Sequence, residues 1–124
     1  MISNQDEVKS YTPAEQVVID HISESVRVQR YSMRSDDEIF MTLSMDAILA
    51  SLEYNEDALI DGLDSLRKRS FKVLERNSVS VNGMIMRAKV LKMERVVEVL
   101  IGKELAYYFM DTSAPLSDLE AGLN

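Results

Sequence analysis

Residues 42–91 limit the possible folds of this chain more than any other stretch. Residues 45–52 carry apolar side chains at helical spacing directly after Ser44, a residue type that often caps the first turn of a helix. After a short turn, Asn55 is placed to cap a second helix. Residues 71–91 then change to the composition of strands. The stretch therefore predicts the order helix, turn, helix and β-ribbon.

A first helix is predicted before this stretch. Thr12, Pro13 and Glu15 suit the N-cap, the first helical position and the capping box, and the helix is expected to last to about Arg30. Residues 38–43 fit either a short strand or the start of a longer helix, and we favour the strand because Ser44 is a good N-cap for the next helix. The apolar residues that repeat every fourth position and face a core are Ala14, Val18, Ile22 and Val26.

The helix after Asn55 is predicted to bury one narrow stripe. Leu59, Leu63 and Leu66 recur at helical spacing and mark that stripe. Gly62 lies beside it, and we expect this glycine to allow close packing against the preceding helix. On the opposite face are Asp57, Asp61, Asp64 and Lys68.

A β-hairpin closed by Asn82 and Gly83 is predicted within residues 71–91. Asn-Gly is a strong signal for a two-residue hairpin turn, because both turn positions need positive φ. Alternation along the two strands then gives the ribbon an apolar face and a basic face. The apolar face comprises Phe71, Val73, Val79, Val81, Met84, Met86, Ala88 and Val90. The basic face comprises Lys72, Arg76, Ser78, Ser80, Arg87 and Lys89.

A long last helix is predicted at residues 93–109, with apolar residues around much of its circumference. A terminal helix that is apolar on several sides needs packing partners on several sides, so we expect a homodimer through this helix. The residues expected at the dimer interface are Val97, Ile101, Leu105 and Tyr108. Residues 12–110 are expected to form one domain, between a flexible N-terminus (1–11) and a flexible acidic tail (111–124).

The composition excludes several classes of protein. The absence of cysteine rules out disulfides, Cys-ligated zinc and a thiol nucleophile. No apolar run approaches the roughly 20 residues of a membrane span, and the N-terminus lacks the regions of a signal peptide, so a soluble cytoplasmic protein is expected. His21, the single histidine, has no converging partner in the sequence, and there is no glycine-rich phosphate loop. We therefore expect no enzymatic activity, no cofactor and no metal site.

The net charge of −7 is distributed unevenly along the chain. Residues 1–66 have a net charge of −10, residues 67–103 of +7 and residues 104–124 of −4. An acidic chain is not a general nucleic-acid binder, because phosphates repel it at long range. A local basic surface still acts at short range, since the Debye length is about 8 Å at physiological salt. Residues 67–103 therefore either form a working basic surface or reflect chance segregation.

Residues 43–73 resemble the winged helix-turn-helix superfamily. In that superfamily a capped helix, a short turn, a recognition helix and a strand entering the wing follow one another. The chain departs from the pattern at Glu53 and Ser70, where glycine is often found. The matching positions are Ser44, Ala47, Ile48, Leu52, Asn55, Leu59, Leu63, Leu66, Phe71 and Val73. With the helices predicted on either side of this stretch, the expected fold is α+β and mostly helical, a winged helix-turn-helix with an N-terminal helix, a β-hairpin wing and a long C-terminal helix.

The last helix predicts a dimer, and the resemblance implies a DNA-binding transcriptional regulator. Its phosphate contacts are expected from Arg67, Lys68, Arg69, Lys72, Arg76, Arg87 and Lys89. The third helix counts against DNA, because Asp57, Asp61 and Asp64 occupy the face that would enter the major groove. The alternative is a protein-interaction module, an adaptor or inhibitor, that uses these three aspartates to bind a basic protein surface.

Overall fold

The computed structural model describes residues 11–74 and 76–111, with the backbone alone at positions 73, 74, 107, 108, 110 and 111. Its helices are α1 (Pro13–Arg27), α2 (Met45–Ala50), α3 (Glu56–Lys68) and α4 (Lys103–Asp111). Its strands are β1 (Ser32–Met33), β2 (Glu38–Ser44), β3 (Ser70–Leu74), β4 (Val79–Gly83), β5 (Arg87–Leu91) and β6 (Val96–Gly102). The two predicted flexible flanks lie outside the described residues, except for Tyr11 and Asp111.

Helix α1 begins with the predicted capping box. The Glu15 amide donates to the Thr12 hydroxyl at 3.1 Å, and the Thr12 amide donates to the Glu15 carboxylate at 2.9 Å. The helix ends at Arg27, three residues before the predicted end. Val18, Ile22 and Val26 are buried, so the predicted stripe faces the core.

The helix-turn-helix is formed by α2 and α3, as predicted. The Ser44 hydroxyl accepts from the Ala47 amide at 3.1 Å, and the Asn55 side chain accepts from the Ala58 amide at 3.1 Å. These two caps satisfy backbone N–H groups that a helix start leaves without intrahelical partners. Leu59, Leu63 and Leu66 are buried, which confirms the predicted stripe.

The turn between α2 and α3 adopts a left-handed backbone without glycine. Glu53 has φ of 54° and Tyr54 has φ of 57°. This conformation is unfavourable for side chains with a Cβ. The structure thus explains why a glycine is suited to this position, and shows that the chain keeps the turn with Glu53 in its place.

Gly62 packs against α1, not against α2 as the sequence suggested. A Cβ placed on Gly62 would lie 3.0 Å from the Cβ of Ala14 and 3.2 Å from its carbonyl carbon. The close approach of α3 to the start of α1 therefore favours glycine at this position, because a methyl group there would force Ala14 to shift.

The core lies between the helices and one face of a four-stranded antiparallel sheet with the order β1-β2-β6-β5. The strand interpretation of residues 38–43 is confirmed by β2. Along β2 and β6, alternate side chains enter the core, and the residues between them form the outer face. The core-facing residues of these strands are Ile39, Met41, Leu43, Val97, Val99 and Ile101.

The predicted hairpin turn at Asn82-Gly83 is wrong. Both residues belong to β4, where Asn82 pairs with Phe71 and Gly83 with Ser70, and neither has positive φ. The chain instead forms two hairpins, β3–β4 and β5–β6, and the second is closed by residues 92–95 with Arg95 at φ 61°. Pairing of β4 back onto β3 extends the backbone at the Asn-Gly site and prevents a turn there.

The predicted apolar face of the ribbon is wrong as a consequence. Phe71 and Met84 are buried, but Val79 and Val81 are 58% and 64% exposed. Val81 pairs with Lys72, and paired residues lie on the same face of a sheet, so this valine lies on the side of the lysine.

The predicted long C-terminal helix is also wrong over most of its length. Its first half is a turn followed by β6, and only α4 is helical. Val97 and Ile101 are fully buried in the sheet, and Leu105 is buried in α4, so these three residues pack within the chain's own core and not at a dimer interface. The side chain of Tyr108 lies outside the described part of the chain. The described residues form an α+β fold with substantial sheet.

Candidate nucleic-acid interface

Arg69 is the one predicted DNA contact that the structure directs into the protein. Its guanidinium forms two hydrogen bonds with the carboxylate of Glu15, at 2.7 and 3.1 Å, and stacks 4.7 Å from the ring centre of Tyr11. The Arg69 side chain is 25% exposed and that of Glu15 only 1%. Arg69 therefore joins the end of α3 to the start of α1 and is not available to phosphate.

The protonation of Glu15 reflects this environment. Burial raises the pKa of Glu15, but the hydrogen bonds from Arg69 and Thr12 and the charge of Arg69 outweigh burial. The net result is a pKa below the ordinary value of a glutamate, so the carboxylate stays ionised beside its arginine.

The other predicted basic residues fall into two groups, because the ribbon that was expected to join them does not form. The first group lies at the end of α3 and on the β3–β4 hairpin. Lys68 is paired with Asp64 at 2.9 Å, whereas Arg67 and Arg76 are exposed and Lys72 is half-buried. The second group, Arg87 and Lys89, lies on the outer face of β5.

On the outer sheet face, Arg87 and Lys89 lie beside residues that are not among the predicted contacts. Strand register aligns Phe40, Leu100 and Arg87 in one row across β2, β6 and β5. The next row consists of Thr42, Glu98 and Lys89. The guanidinium of Arg34, which precedes β2, lies 4.0 Å from the ring centre of Phe40.

These side chains surround a shallow open groove of about 180 Å³. Its lining residues are Arg34, Phe40, Arg87, Lys89, Glu98, Val99 and Leu100. Among the described ion pairs, none includes Arg34, Arg87 or Lys89. We refer to this surface as the sheet groove. The alternation of residues 38–43 places Phe40 on the other face of the strand from Ile39 and Met41. This alternation is the sequence signal for the position of the sheet groove.

The acidic face of α3 is present as predicted. Asp57, Asp61 and Asp64 are exposed, and Ile60 between them is 41% exposed. Two further acidic residues at the helix starts are bound by the β5–β6 hairpin: Lys92 lies 3.6 Å from Glu56, and Arg95 donates to Asp46 at 3.0 Å. Lys92 and Arg95, the basic residues that this hairpin places beside the helix starts, are thus paired with protein carboxylates.

Neither a metal site nor a membrane-spanning helix is found within the described residues. No group of three or more His, Asp or Glu side chains there is arranged to hold an ion. His21 is half-buried on α1. No described helix has the length and apolar character needed to cross a bilayer.

Comparison with solved structures identifies the architecture. The chain resembles the WH1 domain of MSBI1.176, a replication protein isolated from a multiple sclerosis patient, with a TM-score of 0.58 over 86% of this chain and 88% of that domain. This is a winged-helix fold. The sequences are 13% identical, so the similarity shows the fold alone. No protein-family model and no curated protein matches the chain by sequence.

Within the winged-helix fold, the wing is the β5–β6 hairpin. The Met45 amide at the start of α2 donates to the Arg95 carbonyl of this hairpin at 3.0 Å, which places the hairpin beside the helix-turn-helix. The β3–β4 hairpin is a separate ribbon inserted between α3 and the wing. The wing was predicted at residues 71–91, and the structure moves it to residues 87–102.

Proposed function

We propose that this protein is a non-enzymatic, DNA-binding regulatory protein that contacts phosphates through the sheet groove. The observation that carries the proposal is the set of basic side chains at the groove, Arg34, Arg87 and Lys89, which have no acidic partner among the described ion pairs. Like charges held close together repel one another, and a polyanion relieves that repulsion. The winged-helix fold, shared with a domain of a replication protein, supports the same conclusion.

The groove also explains how an acidic chain can bind DNA without using α3 as a recognition helix. Asp57, Asp61 and Asp64 would repel phosphates if α3 entered a major groove. The sheet groove lies on the outer face, across the sheet from the core that contains the buried stripe of α3. If DNA contacts the sheet, the helix aspartates therefore lie away from the nearest phosphates. Salt screens the repulsion between charges that are not close together.

A fluorescence-anisotropy titration with random-sequence duplex tests the proposal. The double variant R87A/K89A should bind more weakly than wild type at about 50 mM salt, because two phosphate contacts are lost. The slope of log affinity against log salt concentration is negative, and its magnitude should decrease by about 2. The matched control is R67A/K68A, which removes the same charge from the end of α3.

The comparison between these two variants decides the result. A larger loss in R87A/K89A than in R67A/K68A supports the sheet groove. Equal losses would show a response to net charge alone, and an unchanged affinity in R87A/K89A would contradict the proposal. Circular dichroism of both variants checks that the fold is retained.

The alternative is a protein-interaction module that docks through the acidic face of α3. The exposed Ile60 among Asp57, Asp61 and Asp64 favours this second candidate, since an apolar residue ringed by charge is typical of a docking surface. In that case wild type shows no affinity for DNA, duplex or single-stranded, even at about 50 mM salt. The variant D57K/D61K should then lose binding to a basic protein partner and keep its fold, because both side chains face solvent.

A further inference from the structure

Phe40 is an aromatic side chain on the solvent side of the sheet. Its strand neighbours Ile39 and Met41 enter the core, whereas Phe40 is half-buried on the outer face. The contact described over its ring is the guanidinium of Arg34 at 4.0 Å. Beside it in the same row are Leu100 and then Arg87, so one apolar strip lies between basic residues at its two ends.

We infer that the sheet groove binds single-stranded nucleic acid, with one base stacked on the Arg34–Phe40 pair and the adjacent phosphates held by Arg87 and Lys89. The inference rests on the proposed nucleic-acid binding and names the form of ligand that the groove takes. Aromatic rings and arginine planes both stack on bases, and the cation also attracts the backbone.

The shape of the groove favours a single strand over a duplex. In a duplex the bases stack on each other, so their faces are not available to a ring on a protein surface. A shallow groove of about 180 Å³ has room for an unstacked base, whereas α3, the element that would enter a major groove, presents aspartates. An open antiparallel sheet that presents an aromatic ring beside basic residues is a surface on which a base lies flat while the adjacent phosphates are bound.

Two acidic residues lie on this face and oppose the binding of phosphate. Glu98 lies in the groove as the cross-strand neighbour of Lys89, without a described ion pair between them. Glu38 lies one row beyond Phe40 and accepts a hydrogen bond from the Ser35 hydroxyl at 3.3 Å. A carboxylate inside the groove repels phosphate, so the variant E98Q should bind oligo-dT more tightly than wild type.

The experiment is an anisotropy titration of the full chain with labelled oligo-dT of about 12 nucleotides, a length within the usual site size, and in parallel with random duplex. The variant F40L keeps an apolar side chain but removes the ring that the Arg34 guanidinium lies over, and should weaken oligo-dT binding by about tenfold. Duplex affinity should not change. The control L100A removes apolar area from the same row without removing a ring, and should have a smaller effect.

A second variant keeps the test valid if F40L does not fold. Arg34 is exposed and lies outside the core, so R34Q leaves the core packing intact and should also weaken oligo-dT binding. Wild-type affinity for oligo-dT in F40L and R34Q would overturn the inference. Stronger binding of duplex than of oligo-dT by wild type would do the same.

The failure of the inference can be told apart from that of the proposed function. If R87A/K89A weakens duplex binding while F40L and R34Q bind oligo-dT normally, the protein binds DNA but does not stack a base in the groove. If wild type binds neither nucleic acid at about 50 mM salt, both ideas fail. Binding of an acidic peptide such as oligo-glutamate as tightly as oligo-dT would show a general anion surface and would also overturn the inference.

Discussion

Replacing Glu15 with glutamine should destabilise the protein substantially, although the change is nearly isosteric. The Glu15 carboxylate is 1% exposed, caps α1 through the Thr12 amide, and receives two hydrogen bonds from Arg69. Glutamine keeps an oxygen for the Thr12 amide but removes the negative charge that Arg69 neutralises. The arginine is then left beside a neutral amide, part of which presents N–H groups to it.

The size of the effect depends on the burial of the two partners. Breaking a fully buried ion pair costs about 3–5 kcal/mol, and a hydrogen bond to a charged group contributes about 1.5–3 kcal/mol. Arg69 is 25% exposed and can recover some hydration, so we expect a loss near the lower end, about 2 kcal/mol in the free energy of unfolding. At about 4 °C per kcal/mol for a domain near this size, the melting temperature should fall by about 8 °C.

Urea denaturation followed by circular dichroism measures this loss. E24Q is the matched control, because Glu24 is exposed on the same helix and forms none of the described ion pairs. It should change stability by less than about 0.5 kcal/mol. If E15Q is as stable as E24Q, the Glu15–Arg69 pair does not hold α1 and α3 together.

The pH dependence of the same difference gives an independent check. Because the folded pKa of Glu15 is below its unfolded value of about 4.3, its stabilisation is present above that pH and is lost as pH falls through the folded pKa. The gap between wild type and E15Q should therefore be constant near neutral pH and shrink below about pH 4.3. A gap that widens on acidification would refute the assigned direction.

Three further changes test the fold. G62A should destabilise the protein by about 1 kcal/mol in urea titrations, because the new methyl group meets Ala14 and this outweighs the better helix propensity of alanine. A gain in stability would show that α1 shifts to accommodate the methyl group at little cost. E53G should stabilise by about 1 kcal/mol, since Glu53 has φ of 54°, and a loss would contradict strain at this turn. I101A should lower the free energy of unfolding by about 2–5 kcal/mol without changing the mass in sedimentation, because Ile101 is fully buried within the chain. A changed mass with unchanged stability would instead place Ile101 at a subunit interface.

The parts of the fold predicted correctly are those encoded by local signals. The capping box at Thr12, the caps at Ser44 and Asn55, and the stripe of α3 depend on residues within one or two helical turns of each other. Such contacts form in the same way in many tertiary settings. Sequence periodicity was therefore enough to place the helix-turn-helix.

The errors lie where long-range pairing decides the structure. Asn82-Gly83 is a hairpin signal in isolation, but β4 pairs with β3 through both residues, and the turns lie elsewhere. Val96–Gly102 was assigned to a helix because apolar residues occupy all its sides, yet a strand with one face in the core and a half-buried outer face has the same composition. The β-branched residues Val96, Val97, Val99 and Ile101 are the signal that favours the strand.

The candidate site was predicted only in part for the same reason. Arg87 and Lys89 were selected as basic residues, but their position beside Phe40 and Arg34 depends on the pairing of β6 with both β2 and β5. Arg69 was selected for its charge, and its ion pair with Glu15, 54 residues away, has no local sequence signal. Charge alone does not show which basic residues face a ligand and which neutralise the protein's own carboxylates.

The most direct test of nucleic-acid binding by the sheet groove is a map of amide chemical-shift changes in the labelled protein on titration with oligo-dT. We expect the largest changes on the outer sheet face, at Arg34, Phe40, Arg87, Lys89 and Glu98. Changes along the exposed face of α3 should be small. Changes concentrated at Asp57, Asp61 and Asp64, or no changes at saturating oligonucleotide, would contradict binding at this surface.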